Sequence, residues 1–494
     1  MANSLKTPLK LSATNLSAIA AANPKIVVPN FTRNALSAGI ALYLTELFNT
    51  GSDLDWAVVG AGVRATEERM RCCLSGQDFM TTVVSQDEHN TTVQIVASMI
   101  DFLPVANSAA VLAQLAQPTI RIVSMTVTEG GYFINAATGQ FDPTHPAIVE
   151  DAKDTANPRT VFGLIVTALG RRRANGTPPF TILSCDNVVK NGKWHTTHVL
   201  ARHGHSDSRY SVLDWELADW ISENVAFPNG MVDRITPVTG DMERVACQQN
   251  HGIEDAWPVF CESFKQWVLE DKFPAGRPAL EKVGVQFVPD VTPYEIMKLR
   301  LLNGGHAAIA YPAALLDIKL AHNAMQNKLI SAFLHKLQTD EILPTVPPVP
   351  GIDLLDYCKR VQQRFGNPKI EDTIRRLCYD GSNRQPKFIV PTIEHRIKQG
   401  QGIDGLALVC ALWCRYCYGT DQNGQTVEPN DPAWPQLQAT AARARDEPVV
   451  WLSMEHIYGS VGQSETFRAV FSKTLRHLWQ FGTESALKRY LGEE

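Results

Sequence analysis

One short segment of the chain carries four polar side chains at spacings that suit a single helix face. It runs from Thr292 to His306 and reads TPYEIMKLRLLNGGH. The four polar residues are Glu295, Lys298, Asn303 and His306. At ~100° per helical residue they fall within about 140° of one another. The segment therefore predicts one helix that presents a carboxylate, an amine, an amide and an imidazole to the same cleft.

These side-chain types suit the oxidation of an alcohol. Burial disfavours the charged form of a lysine, so a lysine in an apolar cleft can act as a general base. The amide of Asn303 and the imidazole of His306 can hold substrate oxygens. For a lone lysine or histidine, a solvated or hydrogen-bonded structural position is the commoner role. The spacing alone therefore leaves both interpretations open.

The elements before this segment follow an α/β pattern from Asp55 to about Asn187. Short β-branched runs alternate there with helical segments, which is typical of a parallel sheet with crossover helices. The predicted strands are Trp56–Gly60, Thr92–Ala97, Thr119–Val127 and Phe180–Ser184. An amphipathic helix, Val161–Leu169, connects the last two strands and runs into a basic surface cluster, Arg171–Arg173.

After Thr292 helical periodicities dominate, and no alternating strand pattern of any length remains. A chain of 494 residues also exceeds what one hydrophobic core usually serves. We therefore expect two domains: an α/β domain over residues 1–290 and a helical domain over residues 291–494. The active site is expected in the cleft between them.

Composition narrows the kinds of molecule that the protein is expected to bind. The net charge is −5, and acids and bases are interspersed, which gives no electrostatic reason to expect a nucleic acid or a membrane surface. The apolar run Gly405–Leu412 is far shorter than a membrane span. Ten scattered cysteines lack the dense spacing of a disulfide scaffold, so free thiols in a reducing compartment are expected. A cytoplasmic protein with a small-molecule substrate fits best.

Two clusters have partial metal-ligand spacing. One is a set of loop histidines: His195, His198, His203 and His205. The other is a set of thiols: Cys410, Cys414 and Cys417. No nearby cysteine or carboxylate pattern completes a tetrahedral set around the histidines. Thiols on an apolar helical run are more typical of a buried core, so we expect no metal.

The pattern Lys298-x4-Asn303-x2-His306 resembles the catalytic helix of the long-chain mannitol dehydrogenase family. Further segments match in the family's order: Thr128-Glu129-Gly130-Gly131-Tyr132, Ser184–Asn187, Met231–Pro237, Trp267–Phe273 and Asp380–Ser382. The resemblance runs from about Asn49 to the C-terminus. It implies an α/β, Rossmann-type NAD-binding domain followed by a mainly helical substrate-binding domain. The implied reaction is metal-independent, NAD-linked interconversion of D-mannitol and D-fructose.

The resemblance also implies a role for each matched side chain. Lys298 would be the general acid/base, Asn187 and Asn303 would form the oxyanion hole, and Glu295 would relay the proton. The residues matching positions that hold the sugar hydroxyls are His306, Asp233, Arg376 and Arg384. At the last position some members carry lysine. Outside this motif, Asn187 would be an ordinary turn residue, and either arginine would be a surface ion-pair partner.

The cofactor side departs from the family. Members have a strand and a glycine-rich turn before the helix that begins here near Ala41, so that backbone N–H groups meet the pyrophosphate. In this chain Ala38-Gly39-Ile40 runs directly into Ala41, and about a dozen residues of that first strand and loop are absent.

The remaining cofactor contacts are expected at two other segments. Gly60-x-Gly62-x-x-Ala65 follows a predicted strand, although a lone match to this pattern is weak. In relatives an acid near this point meets the adenosine ribose, which makes Glu67 the candidate for NAD preference. The second segment is Thr128, Glu129 and Gly130.

Two alternatives stay open at this point. One is a reductase of the same family that acts on a sugar acid such as fructuronate, which would need additional cationic contacts. The other is a catalytically inactive member that no longer binds NAD because the glycine-rich loop is missing. Family members are often monomers, so a monomer that binds a polyol or ketose is expected.

Overall fold

A computed structural model describes most of the chain, and the described residues divide into two compact units. The described ranges are 9–15, 26–27, 38–56, 58–105, 107–127, 132–133, 141–187, 190–192, 215–237 and 239–493. The first unit is Met1–Val291 and the second is Thr292–Glu494. The sequence placed the domain boundary at residue 290.

All strands of the described residues lie in the first unit. In chain order they are β1 (Leu9–Lys10), β2 (Ile26–Val27), β3 (Val58–Gly60), β4 (Thr81–Gln86), β5 (Thr91–Val96), β6 (Met99–Phe102), β7 (Ile122–Met125), β8 (Thr181–Ser184), β9 (Gly230–Asp233), β10 (Ile253–Glu254), β11 (Val259–Glu262), β12 (Gln266–Glu270) and β13 (Gln286–Val288). The four predicted strands are all present, as β3, β5, β7 and β8.

The strands form several small sheets rather than one continuous sheet. β3 pairs in parallel with β6, and β7 pairs in parallel with β8. A four-stranded sheet has the order β11-β4-β5-β2, a three-stranded sheet has the order β13-β12-β9, and β1 pairs with β10. Within the described ranges no strand joins the β3–β6 pair to the β7–β8 pair.

Thr92–Ala97 was predicted as a strand of a parallel sheet, and the corresponding strand lies in a mixed sheet. β5 pairs in parallel with β2 and antiparallel with β4, a strand that the sequence pattern did not predict. The turn between β4 and β5 is short, and Asp87 Oδ1 accepts hydrogen bonds from the N–H groups of His89 and Asn90. Short turns of this kind join antiparallel neighbours, whereas parallel strands need a longer crossover.

Seven α-helices accompany these strands in the described part of the first unit. They are Ala38–Asn49, Glu68–Ser75, Ser108–Leu115, Pro146–Lys153, Val161–Ala174, Trp215–Asn224 and Asp241–His251. The helix Val161–Ala174 begins where the Thr160 hydroxyl accepts the N–H of Gly163. Its Phe162 packs in one core cluster with Phe180 and Ile182 at β8. This packing fixes the strand pair that leads to Asn187.

The same helix corrects the expectation of a basic surface cluster. Arg172 is only 1% exposed, while Arg171 beside it is exposed. The Arg172 guanidinium donates to four backbone carbonyls, those of Leu115, Gln117, Ile120 and Pro178, at 2.7 to 3.0 Å. Arg172 therefore ties the end of its helix to the segments that enter β7 and β8.

The second unit is helical, as the sequence predicted. Its α-helices are Thr292–Met297, Gly304–Leu315, Ala321–Gln326, Lys328–Lys336, Leu354–Phe365, Ile374–Cys378, Gly381–Phe388, Val390–Lys398, Asp404–Cys417, Trp434–Ala444, Val449–Leu452, Glu455–Tyr458 and Glu465–Leu491. Two π-helical segments lie among them, Lys298–Asn303 and Leu337–Ile342.

The helix Asp404–Cys417 forms the centre of the second unit, because twelve of its fourteen residues are buried. The N–H groups of Gly405 and Leu406 at its start donate to the carboxylate of Glu341 at 2.7 and 3.0 Å. The thiols at 410, 414 and 417 are buried, which confirms the core interpretation of that cluster. All ten cysteines are free.

The described residues contain neither a membrane-spanning helix nor a cluster of metal ligands. None of their helices combines the length and the apolar character needed to cross a lipid bilayer. No group of three or more histidine, cysteine, aspartate or glutamate side chains is placed to hold a metal ion in these ranges. The loop histidines His195, His198, His203 and His205 lie outside the described residues.

The contacts of Arg172 predict a stability effect. Replacement Arg172→Met keeps the apolar stem but removes every donor to the four partly buried carbonyls. We expect the free energy of unfolding to fall by roughly 2 kcal/mol, because hydrogen bonds from a charged group are strong and several are lost at once. Urea unfolding monitored by tryptophan fluorescence measures the change. The matched control is Arg171→Met, which should stay within about 0.5 kcal/mol of the unchanged chain.

Candidate active site

The predicted helix from Thr292 onward is present, but its middle is not α-helical. An α-helical turn, Thr292–Met297, passes into a π-helix over Lys298–Asn303 and returns to α-helix at Gly304. The N–H of Gly304 donates to the carbonyl of Leu299, five residues earlier. This spacing defines the π register, in which residue i bonds residue i+5.

The π register changes which side chains share a face. In an α-helix, residues five apart diverge by ~140°. In a π-helix, residue i+5 lies about one turn beyond residue i, on nearly the same side of the helix. Asn303 is residue i+5 of Lys298. In the π register, Lys298 and Asn303 therefore lie on more nearly the same side of the helix than they would in the α register.

All four polar residues of this segment are buried, at most 8% exposed: Glu295, Lys298, Asn303 and His306. Lysine and glutamate are rarely buried to this degree unless they are paired or functional. The Oδ1 atom of Asn303 has no hydrogen-bond partner within the described ranges. A buried polar atom left in this state costs about 1–3 kcal/mol, so it favours a ligand that can donate to it. The solvated interpretation of Lys298 does not hold.

The imidazole of His306 stacks on the ring of Phe365, with centroids 4.1 Å apart and ring planes at 20°. Burial holds the pKa of His306 well below its ordinary value of 6.5, because the charged form loses its hydration. Neighbouring cations shift the pKa in the same direction; they are Arg376, Arg384, Arg364 and Lys298. His306 is therefore a neutral imidazole, with one donor and one acceptor nitrogen.

Two of those cations are the arginines that the sequence singled out. Arg376 Nε donates to Asp372 Oδ1 at 2.6 Å, and its Nη2 donates to Asp372 Oδ2. Arg384 Nη1 donates to the carbonyls of Leu377 and Tyr379 at 3.0 and 3.2 Å. A guanidinium has five N–H donors, so these bonds orient each arginine without using all of its donors. Arg376 thus has the ion pair expected of a lone arginine and still lies near His306.

Asn187 is exposed and lies three residues beyond the end of β8 in the first unit. The residue before it, Asp186, is buried and accepts the N–H of Val127 at 3.0 Å and the hydroxyl of Tyr132 at 2.9 Å. The Ser184 hydroxyl bonds the same Tyr132 hydroxyl at 2.9 Å. These bonds hold the turn that presents Asn187. The family resemblance indicated the segment Ser184–Asn187, but no sequence signal predicted the supporting role of Asp186.

Asp233 also ends a strand of the first unit. It is the last residue of β9, is 3% exposed, and lies opposite Gln266 of β12 in antiparallel register. The chain after it is held by Glu262, whose carboxylate accepts the N–H of Ile235 at 2.5 Å. The backbone on both sides of Asp233 is therefore fixed, which restricts where its carboxylate can point.

The expected cofactor segment at Gly60 lies at the end of β3. A Cβ at position 62 would come within 2.8 Å of Glu67 Oε2 and 3.1 Å of Val105 Cγ2, so the glycine there lets the Glu67 carboxylate lie close to the backbone. The Glu67 carboxylate accepts the backbone N–H of Arg64 at 3.1 Å and its Nε at 3.3 Å. A carboxylate has about four acceptor positions, so Glu67 can still accept a ribose hydroxyl.

A cavity of about 590 Å³ opens at this edge of the first unit. It is lined by Gly62 and Val63 and by Asn107 and Ser108 at the start of the helix Ser108–Leu115. Its volume lies within the range of small-molecule sites, and its lining of glycine, amide and hydroxyl groups suits an adenosine moiety. Thr128, Glu129 and Gly130 lie outside the described residues, as do residues 28–37, which precede the helix that begins at Ala38.

Comparison with protein families matches nearly the whole chain. The model of the mannitol dehydrogenase Rossmann domain matches residues 30–282. The model of the mannitol dehydrogenase C-terminal domain matches residues 290–479.

Individual relatives extend this result. A mannitol 2-dehydrogenase of Cereibacter sphaeroides is 51% identical over 477 residues, covering 94% of this chain and 98% of the relative. One of Aspergillus oryzae is 37% identical, covering 98% and 99%. Among solved structures, Pseudomonas fluorescens mannitol 2-dehydrogenase in a ternary complex with NAD and D-mannitol has a TM-score of 0.90 at 40% identity, covering 98% of this chain and all of that chain.

A second solved structure, a substrate-free D-sorbitol dehydrogenase, has a TM-score of 0.81 at 30% identity, covering 97% of this chain and 100% of that chain. These relatives favour neither the sugar-acid reductase nor the inactive member considered from the sequence. With two family models covering both units and a relative at 51% identity over almost the full length, the chain belongs to the mannitol dehydrogenase family.

Proposed function

We propose that this chain catalyses the reversible, NAD-dependent oxidation of D-mannitol to D-fructose. The observation that carries the proposal is the burial of Lys298 and Asn303 in one π-turn, close to the neutral His306. The relatives support it, since they are mannitol 2-dehydrogenases and one was solved with NAD and D-mannitol. In this proposal residues 1–290 bind NAD and contribute Asn187 and Asp233 to the substrate, and residues 291–494 supply the other polyol contacts.

Lys298 acts as the general base in the oxidation. The neutral amine takes the proton of the substrate hydroxyl while the carbon that bears this hydroxyl loses a hydride, so that a C–OH group becomes a carbonyl. NAD, when bound, supplies the hydride acceptor. In the reverse direction the Lys298 ammonium returns the proton to the oxygen. General acid/base catalysis by a positioned side chain contributes about 10²–10⁴-fold to the rate.

The amides stabilise the oxygen on which negative charge develops. Asn303 lies one π-turn beyond Lys298, so its carboxamide can meet the oxygen from which Lys298 takes the proton. Asn187 is proposed as the second amide donor. Preorganised donors are most useful where charge appears in the transition state. Glu295, buried one turn before Lys298, is proposed to relay the proton from the lysine.

The remaining polar side chains hold the other hydroxyls of the polyol. The neutral His306 can both donate and accept, because only one of its nitrogens carries a proton. The guanidinium groups of Arg376 and Arg384 keep donors beyond those bound to Asp372 and to backbone carbonyls. The carboxylate of Asp233 is proposed to accept hydrogen bonds from the polyol hydroxyls. Such a set suits vicinal diols, since buried hydroxyls without partners are costly.

The cofactor is proposed to lie against the carboxyl end of β3. Gly60 and Gly62 allow close approach of the backbone, and Glu67 accepts from the adenosine ribose. The proposal extends to the segment Thr128, Glu129 and Gly130 as further cofactor contacts. We also propose a monomer in the cytoplasm; the ten free thiols support a reducing compartment.

Lys298→Ala should lower kcat for D-mannitol oxidation by at least about 10²-fold, because the base is lost. The dissociation constant of NADH, measured by fluorescence titration, should change little. Lys319→Ala is the matched control, since that side chain is 77% exposed in the same unit. Retained turnover in Lys298→Ala would remove the lysine from the mechanism.

A substrate panel tests the reaction class. With NAD, kcat/KM should be highest for D-mannitol, and D-mannonate should be a poor substrate. The physical reason is that the charge of Arg376 is already balanced by Asp372, so a substrate carboxylate placed there would lie beside another carboxylate. A preference for the sugar acid would contradict the proposal.

The neutral state of His306 predicts a dependence of stability on pH. Its folded pKa lies below the unfolded value of 6.5, so the unfolded chain binds more protons as the pH falls. This contribution to the free energy of unfolding is therefore present above about pH 6.5 and is lost as the pH drops toward the folded pKa. Urea unfolding between about pH 7.5 and about pH 5.5 should show a shallower decline for His306→Gln than for the unchanged chain. Equal slopes would show that His306 titrates normally.

A further inference from the structure

A π-turn inside a long helix needs support from outside the helix. Such turns are rare, because the α register is the more favourable one, and they occur often at functional sites. The carbonyl of Leu301, in the middle of the π-turn Lys298–Asn303, accepts a hydrogen bond from Gln338 Nε2 at 2.9 Å. Gln338 is 0% exposed. This bond joins the π-turn to a residue 37 positions away in the chain.

A second bond engages the other end of the Gln338 amide. The Leu301 carbonyl can only accept, so it takes the Nε2 end, and Gln338 Oε1 accepts from Gln362 Nε2 at 2.8 Å. Gln338 itself lies in the second π-turn, Leu337–Ile342. A Cβ at position 305 would lie 3.1 Å from Gln338 Nε2, so the glycine there leaves room for the amide.

We propose that Gln338 is a positioning residue that holds the segment Lys298–Asn303 in the π register and thereby keeps the Lys298 amine and the Asn303 amide on one side. If the segment relaxed to an α-helix, residues five apart would diverge by ~140°. The amide would then turn away from the oxygen that the lysine serves, and the Leu301 carbonyl would rotate away from Gln338. This inference rests on the proposed function of Lys298 and Asn303.

Gln338→Met tests the role, because methionine has a similar length but no donor. We expect kcat for D-mannitol to fall by about 10²-fold, the effect of misplacing reacting groups by about 1 Å. The primary deuterium isotope effect on kcat, measured with D-mannitol deuterated at C2, should rise as hydride transfer becomes rate-limiting. The pH profile of kcat should shift, because the amine loses its neighbouring amide. The dissociation constant of NADH should stay unchanged.

Gln77→Met is the matched control. Gln77 is also a buried glutamine, 3% exposed, and its Nε2 donates to the carbonyl of Met80 at 2.7 Å, but it belongs to the first unit and to neither of the two π-turns described above. It should lose stability while kcat, the isotope effect and the pH profile stay as in the unchanged chain. If Gln338→Met behaves in the same way, Gln338 is only structural and the proposal is wrong.

Two further measurements keep the test decisive. Should Gln338→Met fail to fold, Gln362→Met removes the bond that orients the Gln338 amide, and it should change kcat and the isotope effect in the same direction by a smaller factor. A crystal structure of whichever variant folds should show residues 298–303 in the α register, and a retained π-turn would overturn the proposal. The crystal structure does not depend on mannitol turnover. If the proposed function is wrong, the chain without substitutions will be inactive with D-mannitol, and the structural test of Gln338 can still be made.

Discussion

The burial of an amine beside an amide is the constraint on which the second unit depends. An ammonium group removed from water is disfavoured unless it is paired, so a buried lysine needs a surrounding built for it. Here Lys298 lies in a π-turn, and Asn303 follows five residues later. In a π-turn this spacing places two residues on nearly the same side of the helix. His306, stacked on Phe365, is buried three residues after Asn303, and its burial holds the pKa of the imidazole well below its ordinary value.

Both units use buried polar side chains to hold the main chain where function needs it. In the first unit Arg172 binds four carbonyls at the entry to β7 and β8, and Asp186 fixes the turn that carries Asn187. In the second unit Glu341 accepts the first N–H groups of the central helix, and Gln338 donates to the π-turn. Each of these groups satisfies backbone atoms that would be costly to bury alone, so loss of one side chain affects a whole segment.

The Rossmann-type unit is built from several small sheets. Among the described residues no strand joins the pairs β3–β6 and β7–β8, and parallel pairs also occur in the other sheets, as β1–β10, β2–β5, β4–β11 and β12–β13. The close approach at Gly62, the carboxylate of Glu67 and a cavity lined in part by Gly62 lie at the end of β3. The family relationship still extends over this unit, since its Rossmann-domain model matches residues 30–282.

The sequence by itself determined the types of the reacting groups, the helical nature of the second unit and four strands of the first, because local periodicity and short motifs decide these features. Tertiary structure alone decided the π register at Lys298, the burial of Arg172 and the antiparallel pairing of β4 with β5. The physical reason is that the deciding hydrogen bonds join residues far apart in the sequence. Gln338 lies 37 residues from Leu301, and Arg172 lies 57 residues from Leu115. No local pattern records which distant side chain will supply the hydrogen bond that a segment lacks.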